Sequence, residues 1–125
     1  MTRKIKSILV MADKEPQIVR VPAERKFFKG LIGDDLKISR LSDNTYLIAN
    51  KNARLDDFNR FLNGDIILGT FIIIKMKKDK PSSFTKKEIR KYSNTFKLRR
   101  HQKKILLCRE IFLSQYYLNS KKQIA

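Results

Sequence analysis

Apolar and polar positions follow two rhythms along this chain, and together they predict most of its elements. "IKSILVMA" (5–12) is a nearly unbroken aliphatic run, the pattern of a strand buried on both faces. "DKEP" turns the chain, and "QIVRVPA" alternates Ile18 and Arg20 with Val19 and Val21, so a second strand pairs with the first as a hairpin. "AERKFFKGLIG" (23–33) then changes period: Phe27, Phe28, Leu31 and Ile32 fall on one side of a helix, with Gly33 at its C-terminal end. Alternation returns with Leu36 and Ile38, shifts at Leu41, turns at Asp43-Asn44 and resumes in "TYLIAN", a second hairpin.

Residues 51–64 read as mostly loop, with a helical turn around Leu55, Phe58 and Phe61 or Leu62, and "DIILGTFIIIKM" (65–76) reads as the longest strand. Gly69-Thr70 interrupts that strand, and a glycine within a strand marks a bulge or a close backbone approach. After the lysine-rich turn "KKDKPSS", Thr85 and Glu88 have the spacing of a capping box, and Ile89, Tyr92 and Phe96 line one face of a helix ending near Lys97. From Leu98 to Ser120 there is neither glycine nor proline, which predicts a long final helix, basic in its first two turns and apolar nearly all round in its middle. A helix of that kind needs a second surface to cover it, so a homodimer through Leu107 and Phe112 is an expectation of the pattern. The predicted class is α+β: a mainly antiparallel sheet of about five strands with one short helix and two C-terminal helices. The expected organisation is a domain over 1–97 and a helical extension over 98–125.

Charge sharpens this picture. The chain of 125 residues carries 29 Lys and Arg against 12 Asp and Glu, a net charge of +17. The excess is uneven: residues 75–125 hold sixteen of the basic residues and only Asp79, Glu88 and Glu110 as acids. Self-repulsion at this density destabilises the fold, and a polyanionic partner relieves it. On the first C-terminal helix Lys86, Lys87, Arg90 and Lys91 lie opposite the apolar face; Lys97, Arg99, Arg100, Lys103 and Lys104 continue the basic surface. Lys75, Lys77, Lys78 and Lys80 add to it from the preceding turn. Phosphate binding is the chemistry such a surface offers, with a solvated lysine-rich face as the plainer alternative. No zinc-finger spacing, ribonucleoprotein aromatic motif or helix-turn-helix supports reading of base sequence.

Catalytic chemistry finds little support. Cys108 is the sole cysteine, which leaves no internal disulfide or cysteine zinc cluster, and His101, the sole histidine, has no second imidazole to share a metal and no obvious nucleophile near it in sequence. The paired carboxylates Asp34-Asp35 and Asp56-Asp57 are adjacent in sequence and diverge, the pattern of solvated turns, although Asp35, Asp57 and Asp65 could still meet in space. "GLIGDD" lacks the lysine and spacing of a phosphate loop. The expectation is a protein without catalytic residues, metal or cofactor. The basic N-terminus lacks the apolar length of a signal peptide, and no apolar run approaches the roughly 20 residues of a membrane span, so the chain reads as cytoplasmic.

Asn50 follows a strand, Asn59-Arg60 forms an Asn-Arg pair, and Asp65 leads into Gly69-Thr70-Phe71 along one strand. Across residues 5–96 this order of motifs resembles the domain of unknown function 3846 family. Ala53 stands where the pattern has glycine, and this chain is basic where family members are typically acidic. The resemblance implies an accessory protein of phages, plasmids and conjugative elements of Gram-positive bacteria, with no established chemistry. The expected function is therefore non-enzymatic binding of nucleic acid or a nucleoprotein through the basic C-terminal helices. A second expectation, from the same resemblance, is an inhibitor of a host defence nuclease (restriction or CRISPR) that binds the effector; at +17 it could not act by mimicking DNA.

Overall fold

The computed structural model describes residues 3–54, 57–62 and 65–98. The chain runs β1 (Lys4–Val10), β2 (Gln17–Pro22), α1 (Arg25–Ile32), β3 (Leu36–Ser42), β4 (Thr45–Asn50), β5 (Phe58–Leu62), β6 (Asp65–Leu68), β7 (Phe71–Lys77), β8 (Lys80–Ser82) and α2 (Lys86–Thr95). Six strands form one antiparallel sheet in the order β2-β1-β7-β4-β3, with β8 added on β7; β5 and β6 pair separately as a hairpin. The class is α+β. Beyond Leu98 the expected C-terminal helix, and the dimer contacts placed on it, lie outside the described residues.

The continuous aliphatic runs form the middle of the sheet, because a strand covered on both faces needs apolar side chains in both directions. Ile8, Val10, Leu47, Ala49, Phe71 and Ile73 point to one face, where Phe84, Tyr92 and Phe96 from α2 and the segment before it cover them. Leu62 and Ile67 of the β5–β6 hairpin pack on this same side. Ile5, Leu9, Ile48, Ile72 and Ile74 point to the other face, under Phe28 and Ile32 of α1. Gly33 ends α1 at φ 145°, and a Cβ there would lie 2.6 Å from the side-chain nitrogen of Asn50. Only glycine combines that backbone with so close a neighbour.

The structure revises three of the sequence expectations. Residues 58–62, read as loop and helical turn, are a strand. Residues 80–82, read as turn, are a short strand on β7. The long strand from 65 to 76 is two strands that serve different sheets: β6 pairs with β5, and β7 with β1 and β4. Gly69 makes this division at φ 74°. Space is not the reason for glycine, since an added Cβ would meet only the Ala53 methyl carbon at 3.4 Å. The left-handed backbone is the reason, because it is costly for side chains branched at Cβ.

A buried polar knot holds the hairpin to the sheet. The β5–β6 register shifts between Phe58 and Arg60, so Asn59 is the extra residue of a bulge. A bulge re-aims side chains, and both Asn59 and Arg60 are fully buried. Asn59 donates from Nδ2 to the carbonyls of Val10 at 3.0 Å and Gly69 at 2.8 Å. Its Oδ1 accepts from Arg60 at 2.8 Å. The Arg60 guanidinium also donates to Ala12 O at 2.9 Å, to Phe96 O at 3.0 Å and to Lys14 O. One side chain thus ties β5 to the β1–β2 loop and to the end of α2. Burial lowers the Arg60 pKa from its ordinary value, while the charges of Glu15 and Asp13 oppose that shift. The group stays protonated, since an arginine starts so far above neutrality.

Gly69→Val should cost about 2 kcal/mol in urea unfolding, whereas Gly69→Asn should cost under about 1 kcal/mol, because asparagine tolerates a left-handed backbone. Equal losses for the two variants would refute the conformational explanation.

Candidate nucleic-acid interface

Helix α2 is positioned by its first turn. Thr85 Oγ1 accepts from the Glu88 amide at 3.2 Å, and Glu88 Oε1 accepts from the Thr85 amide at 3.0 Å, the reciprocal capping box expected from the sequence. The same Glu88 oxygen accepts from Lys75 Nζ at 2.7 Å, which joins the start of the helix to β7. Burial alone pushes the Glu88 carboxyl up, but hydrogen bonds from Lys75 and Thr85 and the charge of Lys75 outweigh it and hold the group below its usual range. Farther along, Tyr92 is buried and donates from its hydroxyl to Thr45 Oγ1 at 2.9 Å. Phe96 meets Phe71 edge-on at 5.2 Å between ring centroids.

These inward anchors fix which residues face solvent. Lys86, Lys87, Arg90, Lys91 and Lys97 are all exposed. Lys86 with Arg90, and Lys87 with Lys91, stand four residues apart and so lie in neighbouring rows on the helix surface. Lys91 also places its ammonium 5.2 Å from the Tyr92 ring centroid. Among the described residues, Lys86, Lys87, Arg90 and Lys91 make no ion pair; the two found are Arg40–Asp43 and Lys75–Glu88. Lys75 therefore leaves the basic surface that the sequence assigned it to, since its charge is spent on Glu88. Lys77, Lys78 and Lys80 are exposed around the β7–β8 turn. Arg99, Arg100, Lys103 and Lys104 lie outside the described residues.

Other candidate chemistry separates in space from this surface. Asp35 accepts from the Asn52 side chain at 2.8 Å, joining the loop before β3 to the loop after β4, and Asp57 accepts from the Arg54 amide at 3.0 Å within its own loop. A cleft of about 320 Å³ beside them is lined by Ala12, Leu31, Ile32, Asn50, Asp57 and Thr70, among others. Among the described residues, no three His, Cys, Asp or Glu side chains come together as metal ligands. No helix among those residues is long and apolar enough to cross a membrane. The buried pair Asn59-Arg60 is what residue-by-residue reasoning missed. A charged residue broke the apolar alternation of "FNRFL", and only the placing of Phe58, Arg60 and Leu62 at every second position signalled a strand.

Glu88→Gln keeps a side chain able to complete the capping box and removes the charge paired with Lys75. Because the folded-state pKa is depressed, the ion pair stabilises above the unfolded carboxylate range and its contribution fades as pH falls through the folded value. The variant should lose about 1 kcal/mol at pH 7, with the gap to wild type closing as pH falls below the ordinary carboxylate range. A gap independent of pH in urea unfolding would rule out the charge as its cause.

No curated protein and no solved structure matches the chain. The family model described as Domain of unknown function (DUF3846) matches residues 5–97, which takes in every described strand but the first residue of β1, both helices, the Asn59-Arg60 knot and the Gly69 junction. The chain belongs to the DUF3846 family.

Proposed function

We propose that this protein binds nucleic acid through the outward face of α2 and the basic residues that continue from it. The observation that carries the reading is the state of four cations. Lys86, Lys87, Arg90 and Lys91 are exposed and without an ion-pair partner among the described residues, although Glu88 sits on the same helix. Glu88 is turned to Lys75 and forms an ion pair with none of them. Like charges four residues apart destabilise a helix by about 0.2–0.5 kcal/mol per pair. Contact with phosphates removes that repulsion and releases counterions from the nucleic acid. Lys97 follows the helix, and Arg99, Arg100, Lys103 and Lys104 extend the basic sequence further.

Recognition of this kind is electrostatic. Contacts to phosphate oxygens position a protein on a nucleic acid without reading its bases, so the protein would coat or hold its partner with little sequence preference. The full chain should shift a labelled 20-base-pair duplex at low salt, with log K falling against log salt at a slope of about −3 to −6. Reversing Lys86, Lys87, Arg90 and Lys91 to Glu should reduce affinity at least about tenfold and flatten that slope, while the circular-dichroism melt stays cooperative. Undiminished binding by the folded variant would remove α2 from the interface.

A further inference from the structure

We propose that the β7–β8 tip enters the major groove of duplex DNA while α2 holds the flanking phosphates. The inference rests on the nucleic-acid reading above and names the partner that reading leaves open. Its first support is the turn itself. Lys78 and Asp79 are the two central residues, and both have positive φ, 51° and 62°. That is the arrangement of a type I′ hairpin turn, which asparagine-glycine forms with least strain. Lysine is a poor occupant of a left-handed position, so the fold gives up stability to place an amine at the apex.

A second local rule is broken beside it. Lys77 and Lys80 are directly opposed in the β7–β8 register, and both are exposed. Directly opposed side chains share one face, and like charges so placed destabilise the pair. Lys77 lies two residues beyond Lys75, whose amine reaches Glu88 of α2, so the two tip lysines face the side of the sheet that carries α2. Neither departure serves packing, and both put positive charge at one point.

Reach is the third support. The β4–β7 register ends at Thr45 opposite Lys75, and the last bond to a neighbour other than β8 runs from the Met76 amide to Asn44 O at 2.7 Å. Beyond it, among the described residues, the ribbon continues alone through Lys77 and the turn. At about 3.3 Å per residue this projects a finger of about 7–10 Å, two strands about 4.8 Å apart at their backbones. The major groove of B-form DNA is about 12 Å wide and 8.5 Å deep and admits a two-stranded ribbon. The major groove of A-form RNA is deep and too narrow for side chains to read. Lys77 and Lys80 can then reach phosphates on the groove wall, with Lys78 at the floor. Asp79, the one acid on the tip, occupies the second turn position, where a short polar side chain tolerates the backbone.

Binding of the full-length protein to duplex DNA, duplex RNA and single-stranded DNA of equal length, read by fluorescence anisotropy at one salt concentration, tests the assignment. Wild type should prefer duplex DNA by about fivefold or more, and Lys77→Gln/Lys80→Gln should abolish the preference by weakening duplex DNA alone. Lys78→Asn/Asp79→Gly leaves net charge unchanged and supplies the favoured turn, so it should raise Tm by about 5 °C while weakening duplex binding severalfold. Variants that bind duplex DNA as tightly as wild type, or a wild type indifferent to the form of nucleic acid, would overturn the groove assignment and leave the α2 reading standing. A wild type that binds none of the three would bring down both.

Discussion

A single guanidinium group closes this fold. Arg60 is fully buried and reaches the loop after β1 through Ala12 and Lys14, the end of α2 through Phe96, and the Asn59 side chain that itself holds Val10 and Gly69. Few side chains could do this. The planar fork of arginine presents five donors at fixed angles, whereas a lysine presents one compact ammonium. Burying the charge is costly, and carbonyl oxygens with the nearby charges of Asp13 and Glu15 offset that cost. The β5–β6 hairpin, which pairs with no strand of the main sheet among the described residues, is fixed in place by this contact as well as by Leu62 and Ile67.

The consequence is a division of labour within the chain. Of the residues that carry the family resemblance, Asn50, Asn59, Arg60, Gly69 and Phe71 meet at the end of the sheet where β1 and α2 finish. They satisfy backbone groups, permit one left-handed turn and pack a phenylalanine against Phe96. The polar chemistry of Asn59 and Arg60 is consumed inside the scaffold. Unspent charge lies elsewhere, on the solvent face of α2 and on the β7–β8 tip, where positive groups stand without ion-pair partners among the described residues. The contrast between Lys75 and Lys77 shows the division at its sharpest: two residues apart on one strand, the first is neutralised by Glu88 and the second is opposed by another lysine.

Elements dictated by local chemistry were legible in the sequence. The capping box follows from Thr85 and Glu88 alone, and two hairpins follow from alternating apolar residues around Pro16 and Asp43-Asn44. What was not legible depends on distant partners. β5 looked like loop because its middle is Asn59-Arg60, and those residues become strand only when the carbonyls of residues 12, 14 and 96 receive them. Gly69 was recognisable as an interruption, but the break into two strands depends on where the β5 partner ends. Gly33 was expected as a helix cap, and its further requirement, room for the Asn50 amide, comes from β4. Among the basic residues, exposure on α2 followed from helical spacing, while the capture of Lys75 required the fold.

The central claim is that the Asn59-Arg60 pair acts as one structural unit, and a double-mutant cycle in urea unfolding measures it directly. Arg60→Lys keeps the charge and should still cost about 3 kcal/mol, because one ammonium cannot serve the separated carbonyls. Asn59→Ala should cost a comparable amount, and the double variant should lose clearly less than the sum, with a coupling of at least about 1 kcal/mol. Additive losses, or an Arg60→Lys variant as stable as wild type, would contradict the account.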